Sequence, residues 1–237
     1  MRTAAILPVK GFDQAKRRLG ASVADPLRVE LARAMVADVL LALAQTAAIE
    51  RTIVVTREPS VAAAARQLDA IVVEDDGKSG QSAAALLGVR RALAEGIERA
   101  LCVPGDCPAL DPAELERLLH PRPEADPRRE SCGAAREVVV VPDRHGTGTN
   151  GLLLTPPDAI APAFGPGSCE RHRALALAAG VAFRVEHPSS LLLDIDTGAD
   201  LALLRERLAG HTARAAHTRS VLGQPERTDI LTITNSR

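Results

Sequence analysis

The feature that most constrains the fold is an alternation of short apolar runs with longer segments of helical period. The apolar runs are rich in Val, Ile and Leu and are predicted as buried strands. In the first half, strands are predicted at residues 3–9, 51–56, 70–74 and 99–103, and helices at residues 25–45, 58–68, 82–95 and 111–119. Such an alternation is typical of an α/β fold with a doubly wound, mostly parallel sheet.

The second half of the chain continues this pattern less regularly. Residues 120–136 are rich in proline and arginine and are expected to form a loop. Strands are then predicted at residues 137–141, 152–155, 181–185 and 191–193, and helices at residues 169–179 and 198–208. We predict one domain over residues 1–212. The polar tail, residues 213–237, is expected to be flexible or to pack on a partner.

Composition excludes several classes of function. The 237 residues include three Phe and no Trp or Tyr, so the core must be aliphatic and platforms for base stacking are missing. The formal net charge of -1 gives no reason to expect a nucleic-acid or anionic-membrane partner. The four cysteines form no C-x-x-C pair, and no signal peptide or membrane-spanning run is apparent. We therefore expect a cytoplasmic protein with reduced thiols and no structural zinc.

The most informative single stretch is LCVPGDCPAL, residues 101–110. An apolar strand pattern stops at Pro104 and Gly105, and Asp106 follows at once. This arrangement would deliver a carboxylate to the carboxyl edge of the sheet, where ligands bind in open α/β folds. A turn aspartate would produce the same local pattern, so Asp106 alone does not distinguish structure from chemistry.

A second acidic motif, DIDTG, follows the run at residues 191–193 and supplies Asp194 and Asp196. Carboxylates from two strand ends that converge suit Mg²⁺, which prefers oxygen ligands and keeps waters and substrate phosphates in its shell. The motif could equally cap the helix that follows it. The two motifs together place three acids at two strand ends, in a chain with a basic first loop. This combination favours a metal site more strongly than either motif does alone.

Three further stretches favour an anionic ligand. LPVKGFDQAKRRL places Lys10 and Lys16 around the loop after the first strand, although no Walker pattern is present. HGTGTN, residues 145–150, and FGPGS, residues 164–168, combine glycines with hydroxyl donors. Ser168 is expected to cap the next helix, whose N-terminus could then hold a phosphate or carboxylate. A solvated basic turn and plain helix capping are the structural alternatives.

The motifs LPVKGFDQAKRRL, VPGDCPAL, DRHGTGTN, FGPGS and LDIDTGADL occur in this order over about residues 3–208. Together they resemble the CofC/FbiD family, the guanylyltransferases of coenzyme F420 biosynthesis. The resemblance implies a single-domain, Rossmann-like nucleotide-diphospho-sugar transferase fold with helices on both faces of a mostly parallel, mixed sheet. It also implies the reaction: a phosphorylated three-carbon acid attacks the α-phosphate of GTP, and pyrophosphate leaves. The acid would be phosphoenolpyruvate, 2-phospho-L-lactate or 3-phospho-D-glycerate.

The resemblance also implies roles for individual residues. The catalytic residues would be Lys10, Lys16 and Asp106, and Mg²⁺ would be held by Asp106, Asp194 and Asp196. The acid would be bound by Thr149, Asn150, Gly165 and Ser168, with Cys107 shaping its pocket. The nucleotide would be bound by Pro8, Lys10, Gly80 and Ser82. A homodimer and a hand-off of product to the downstream transferase of the coenzyme F420 pathway would be the expected macromolecular contacts.

One departure from the fold's usual pattern weakens the prediction of guanine specificity. Ser82 stands where members of the fold often have an Asn that helps to read the base. Three alternatives stay open at this point. The first is another nucleotidyltransferase of the same fold, with a sugar-phosphate or molybdopterin acceptor. The others are a haloacid-dehalogenase-like phosphatase, which DIDTG resembles locally, and a non-catalytic nucleotide sensor.

Overall fold

A computed structural model of the chain describes residues 1–12, 25–75, 80–120, 136–209 and 214–223. Its strands are β1 (Thr3–Val9), β2 (Arg51–Thr56), β3 (Ile71–Glu74), β4 (Arg99–Cys102), β5 (Glu137–Pro142), β6 (Thr149–Thr155) and β7 (Ala182–Val185). Its α-helices are α1 (Asp25–Ala44), α2 (Pro59–Gln67), α3 (Gln81–Ala94), α4 (Pro112–Leu119), α5 (Ser168–Ala178), α6 (Gly198–Ala209) and α7 (Ala216–Leu222). Within these residues the predicted alternation of strands and helices is confirmed.

The strands form one mixed sheet in the order β3-β2-β1-β4-β6-β5-β7. The pairings β1–β2, β1–β4, β2–β3 and β5–β7 are parallel, whereas β6 runs antiparallel to both of its neighbours. Because Cys102 on β4 pairs with Leu152 on β6, the start of β6 lies beside the end of β4. The reversal of β6 therefore brings Thr149 and Asn150 to the sheet edge at which β4 delivers Asp106.

The core has two apolar layers, one on each face of the sheet. Alternate residues of β1 divide between them, since Ala5 and Leu7 belong to one layer and Ala4 and Ile6 to the other. Burial on both faces is the reason why β1 reads as a continuous apolar run rather than an alternating one. Both layers are built almost entirely from aliphatic side chains, as the composition requires.

Two local expectations for the second half of the chain are wrong. The strand β6 begins at Thr149, so the last two residues of HGTGTN belong to a strand and not to a loop. Residues Ser189–Leu191 form a 3-10 turn, and no strand forms at residues 191–193. The turn has a clear cause: the Glu114 carboxylate accepts hydrogen bonds from the Ser189 hydroxyl (2.8 Å) and the Ser190 amide (2.7 Å).

The expectation of a flexible or partner-bound tail is wrong for residues 214–223. Helix α7 packs on this chain's own α1, and Thr218 and Val221 are buried there. Its N-terminal amides are satisfied by Asp38, whose carboxylate accepts from His217 N (3.0 Å) and Thr218 N (2.8 Å). A helix of seven residues gives little periodic signal in the sequence. Its capping residue, Asp38, is too distant in sequence to be recognised as a cap.

Some expectations fall where the structure gives no description. Residues 121–135, most of the predicted proline-rich loop, and residues 224–237 of the tail lie outside the described residues. The domain boundary at residue 212 stays a prediction. Among the described helices, none has both the length and the apolar character needed to cross a membrane.

The packing of α3 on β1 generates a stability prediction at Gly88. A Cβ atom at this position would lie 2.3 Å from Cγ2 of Ile6, which is completely buried in the interior strand β1. We expect Gly88→Ala to lower the free energy of unfolding by about 1–3 kcal/mol, because overpacking outweighs the gain in helix propensity. Gly80→Ala is the matched control, since a Cβ there would meet no atom within 4 Å. Urea denaturation measures both variants, and equal stabilities would contradict the prediction.

Candidate active site

Asp106 follows β4 in a tight turn against α1. A Cβ at the preceding Gly105 would lie 3.0 Å from Cγ2 of Val36, so glycine allows the turn to approach the helix closely. The Asp106 carbonyl accepts a hydrogen bond from the amide of Ile195 (3.0 Å). This bond fixes the DIDTG segment directly beside the turn, although DIDTG does not follow a strand.

Asp194 and Asp106 are close enough for their charges to interact. Burial raises the pKa of the Asp194 carboxyl, and the negative charge of Asp106 raises it further. The hydrogen bond that Asn150 donates to Asp194 opposes this rise only in part. A site that raises the pKa of a carboxylate in this way favours either a proton or a cation between the two acids.

Asp196, the third predicted metal ligand, affects the pKa of Asp194 only weakly. Its charge contributes least among the influences that raise the pKa of Asp194. Within the described part of the chain, no group of three or more His, Cys, Asp or Glu side chains is arranged to hold a metal ion. The chain reaches Asp194 through a 3-10 turn and irregular backbone, so this carboxylate does not come from a strand end.

The donor set that remains still fits Mg²⁺. This ion is commonly bound through one or two carboxylates, and waters and substrate phosphates complete its octahedral shell. Asp106 and Asp194 supply two carboxylates at the sheet edge where ligands bind in open α/β folds. Metal binding by these residues, and by Asp196, stays a prediction.

The second half of DIDTG serves the helix that follows, as the capping alternative proposed. The Thr197 amide donates to Oδ2 of Asp200 (2.7 Å), and the Asp200 amide donates to the Thr197 hydroxyl (3.3 Å), which together form a capping box. Arg144, from the loop before β6, forms an ion pair with Asp200 (2.6 Å). Burial alone would raise the pKa of Asp200, but the hydrogen bonds from Thr197 and Asp196 and the Arg144 charge outweigh it and lower that pKa.

Asn150 lies at the start of β6, and its side chain makes hydrogen bonds within the protein. It is only 6% exposed, and its amide nitrogen donates to the Leu191 carbonyl (2.8 Å) and to Oδ1 of Asp194 (3.1 Å). These contacts tie β6 to the DIDTG segment and orient Asp194. Direct contact of Asn150 with the acid stays a prediction.

Thr149, Ser168 and His172 form a buried hydrogen-bonded group beside Asn150. The Ser168 hydroxyl lies 3.0 Å from that of Thr149, which in turn lies 3.1 Å from Nδ1 of His172. The expectation that Ser168 caps α5 is wrong, since the N-cap is Gly167 at φ 70° and Ser168 is the first residue of the helix. Its side chain turns inward to Thr149, so the two predicted acid-binding hydroxyls lie together.

The FGPG loop, residues 164–167, is an exposed turn to which the side chain of Arg171 donates several hydrogen bonds. Gly165 has φ 108°, a backbone conformation that favours glycine. The Arg171 guanidinium donates to the carbonyls of Ala163 (3.0 and 3.2 Å), Phe164 (3.1 Å) and Pro166. These bonds tie the loop to α5 next to Ser168, and its contact with the acid through Gly165 stays a prediction.

The loop HGTGTN supplies fewer donors to an anion than its glycines suggested. The amides of His145 (3.1 Å) and Thr147 (2.9 Å) both donate to Oδ1 of Asp143. A Cβ at Gly148 would lie 2.7 Å from Asp143 Oδ2, so glycine allows this carboxylate to lie close to the turn. The loop is thus organised by its own aspartate, and the anion-binding potential of the motif is limited to its last residues.

The predicted nucleotide-binding residues lie at the carboxyl ends of β1 and β3. Pro8 and Lys10 are at the end of β1, where Lys10 is exposed, and the following loop is held by a hydrogen bond from Phe12 N to Glu58 Oε1 (3.1 Å). Gly80 is the exposed N-cap of α3, and Ser82 lies half-buried in its first turn. Lys16 lies outside the described residues.

Cys107, which was expected to shape the acid pocket, lies beneath the surface next to Asp106. Its side chain is fully buried in the core, where the thiol donates to the carbonyl of Leu191 (3.7 Å). This contact ties the turn after β4 to the 3-10 turn at Leu191, and a contribution of Cys107 to the acid pocket stays a prediction.

Sequence reasoning placed His172 shortly after FGPGS but gave it no role in the site. It is completely buried, and its Nε2 accepts from the amide of Ala163 (2.9 Å). Burial, reinforced by the nearby Arg171 charge, lowers the pKa of His172 to about 4. The four-residue spacing from Ser168 places both side chains on one face of α5, and this spacing was the only signal available in the sequence.

The buried His172 predicts a specific dependence of stability on pH. Because the unfolded chain binds a proton near the ordinary pKa and the folded chain does not until about pH 4, stability is lost as pH falls through this window. We expect the wild type to lose about 2 kcal/mol more than His172→Gln between pH 7 and pH 5. Urea denaturation at both pH values measures the difference, and equal losses in the two proteins would contradict it.

The chain is similar to known proteins in sequence over nearly its whole length. The sequence profile of a family described as "Guanylyl transferase CofC like" matches residues 3–219. A phosphoenolpyruvate guanylyltransferase of Conexibacter woesei is 47% identical over 229 residues, which cover 97% of this chain and 99% of the relative. The phosphoenolpyruvate guanylyltransferase of Sphaerobacter thermophilus is 37% identical and covers 89% of this chain and 94% of its own.

A solved structure extends the likeness to the fold. A candidate nucleotide-diphospho-sugar transferase of Desulfovibrio desulfuricans superposes with a TM-score of 0.71, 15% identity and 94% coverage of both chains. At this identity the likeness concerns the fold alone, and it confirms the expected nucleotide-diphospho-sugar transferase architecture. The family match and the high identity to full-length relatives go further: the chain belongs to the CofC-like guanylyltransferase family and is a nucleotidyltransferase.

Proposed function

We propose that this protein transfers GMP from GTP to phosphoenolpyruvate and releases pyrophosphate, as a step of coenzyme F420 biosynthesis. The observation that carries the proposal is the 47% identity, over nearly the whole of both chains, to a relative named for this reaction. The further relatives from Sphaerobacter thermophilus and Rubrobacter xylanophilus carry the same name at 37% and 40% identity. The molybdopterin, sugar-phosphate and phosphatase alternatives are not favoured by these relationships.

The proposed chemistry is an in-line displacement at phosphorus. A phosphate oxygen of phosphoenolpyruvate attacks the α-phosphorus of GTP, a new phosphorus–oxygen bond forms, and the bond to the β-phosphate oxygen breaks. Because the attacking oxygen is already anionic at neutral pH, no general base is required. The protein's task is to hold two anions in line and to offset their mutual repulsion.

The carboxylate pair suits the nucleotide side of this reaction. Asp106 and Asp194 would hold Mg²⁺, which when bound neutralises phosphate charge and orients the triphosphate. The raised pKa of Asp194 beside Asp106 supports this assignment, because two adjacent carboxylates favour a cation. Lys10, exposed at the end of β1, is suited to meet the same phosphates, and Lys16 is assigned there by resemblance.

The hydroxyl pair suits the acid side. Thr149 and Ser168 lie together at the base of the FGPG loop, and Arg171 donates hydrogen bonds to carbonyls of that loop. Hydroxyl and amide donors in a partly enclosed turn are appropriate for a carboxylate or phosphate. Asn150 joins the two sides, since it neighbours Thr149 in β6 and donates to Asp194.

The function is tested by a two-dimensional substrate panel. Purified protein and MgCl₂ are incubated with each of GTP, ATP, CTP and UTP against each of the three acids. We expect pyrophosphate release and a guanylylated product with GTP and phosphoenolpyruvate, at a kcat/KM at least about tenfold above every other pair. Release with 2-phospho-L-lactate or 3-phospho-D-glycerate alone would replace the proposed acid. Absence of product in all combinations would refute the function.

The metal-binding role of Asp106 generates a separate prediction. Asp106→Asn keeps the side-chain shape and removes the charge, so kcat/KM is expected to fall by more than about 100-fold. The same substitution should lower the pKa of Asp194, which NMR titration of the carboxyl carbon measures. Asp158→Asn, at an exposed position after β6, is the control and should keep wild-type rates. Wild-type turnover in Asp106→Asn would remove Asp106 from the mechanism.

A further inference from the structure

His172 is held from two sides by groups whose hydrogen-bonding roles differ. The backbone amide of Ala163 can only donate, so Nε2 of His172 must be the acceptor of that 2.9 Å bond. In the neutral ring the proton then resides on Nδ1, which donates to the Thr149 hydroxyl at 3.1 Å. The backbone before α5 thus fixes the tautomer of a completely buried imidazole.

The tautomer determines how many protons the hydroxyl pair has left to donate. Thr149 and Ser168 carry one hydroxyl proton each, and one of these is used in the 3.0 Å bond between them. Because His172 donates to Thr149 and takes no proton from it, the second hydroxyl proton remains for an outside acceptor, whichever way the Thr149–Ser168 bond runs. With the opposite tautomer, Thr149 would donate to His172 and both protons would be consumed internally.

We propose that His172 is a positioning residue for the anionic acid, because its fixed tautomer leaves the Thr149–Ser168 pair with one hydroxyl proton directed to the ligand. This inference rests on the proposed function for the identity of the acid. A hydroxyl that already accepts a hydrogen bond is also the better donor, so the contact from His172 strengthens the bond to the anion. His172 itself does not touch the substrate.

The same ring couples the hydroxyl pair to the FGPG loop. Its Nε2 anchors the amide of Ala163, and its edge packs against Phe164 with a centroid separation of 5.3 Å and an interplanar angle of 76°. Arg171, the neighbouring residue of α5, holds the carbonyls of the same loop. His172 and Arg171, which are adjacent in α5, therefore fix the position of the FGPG loop relative to the hydroxyl groups of Thr149 and Ser168.

Two amide substitutions separate the two bonds of His172. His172→Asn retains a donor near the position of Nδ1, whereas His172→Gln retains an acceptor near the position of Nε2 and loses the donor to Thr149. We expect His172→Gln to raise the KM for phosphoenolpyruvate about tenfold, with the KM for GTP nearly unchanged. His172→Asn should raise it no more than about threefold, because the donor to Thr149 is kept. His187→Gln, at an exposed histidine, is the matched control.

Thermal denaturation of each variant shows whether a change in KM reflects general loss of structure. A merely structural role predicts equal effects of Asn and Gln, or effects on both substrates, and either result would overturn the proposal. Nitrogen-15 NMR of the wild-type imidazole supplies a readout independent of turnover. Protonated Nδ1 and unprotonated Nε2 are expected, and the reverse assignment would overturn the proposal outright.

Binding measurements keep this proposal distinct from the proposed function. If the wild type binds phosphoenolpyruvate by calorimetry but transfers no GMP, the proposed reaction fails and the effect of His172→Gln on the dissociation constant decides the positioning role. If the wild type neither binds nor uses any of the three acids, both proposals fail.

Discussion

The interaction on which the site depends is the forced proximity of Asp106 and Asp194. Two carboxylates repel one another, and the raised pKa of Asp194 reflects this repulsion together with burial. The fold keeps them together through uncharged contacts: Ile195 N donates to the Asp106 carbonyl, and Asn150 donates to Asp194. A bound cation would offset this repulsion, so the pair is better explained as the proposed metal site than as a stabilising contact of the fold.

The direction of a single strand explains why the two halves of the site meet. In a sheet of parallel strands only, β6 would begin at the opposite edge from the end of β4, and Thr149 and Asn150 would lie far from Asp106. Because β6 runs antiparallel, its first residues lie at the edge where β1, β3 and β4 end. The residues predicted to bind the nucleotide and the acid are thereby gathered at one edge, each carried by a different strand or helix terminus.

Much of this fold was predictable from the sequence, because buried strands and amphipathic helices have distinct periods. The failures share a physical cause. The turn at Ser189–Leu191 is imposed by Glu114, and helix α7 is capped by Asp38, so in each case the deciding partner is distant in sequence. At the site, the acidic and hydroxyl residues could be identified in the sequence from the motifs that contain them. Their pairing could not, since the contacts of Ser168 with Thr149 and of Cys107 with Leu191 exist only in the folded chain.

The motif DIDTG shows how a structural and a chemical explanation can both hold for adjacent residues. Thr197 forms the capping box with Asp200 and so determines where α6 begins. Fixing that end of the segment, while Ile195 is tied to Asp106, leaves Asp194 little freedom to move away from its neighbour. The cap is therefore part of the reason why the carboxylate pair persists. Arg144 makes a similar contribution, because its ion pair with Asp200 connects the loop before β6 to the start of the helix that follows Asp194. In this protein the residues that stabilise the local fold also keep the carboxylates of Asp106 and Asp194 close together, as the proposed metal site requires.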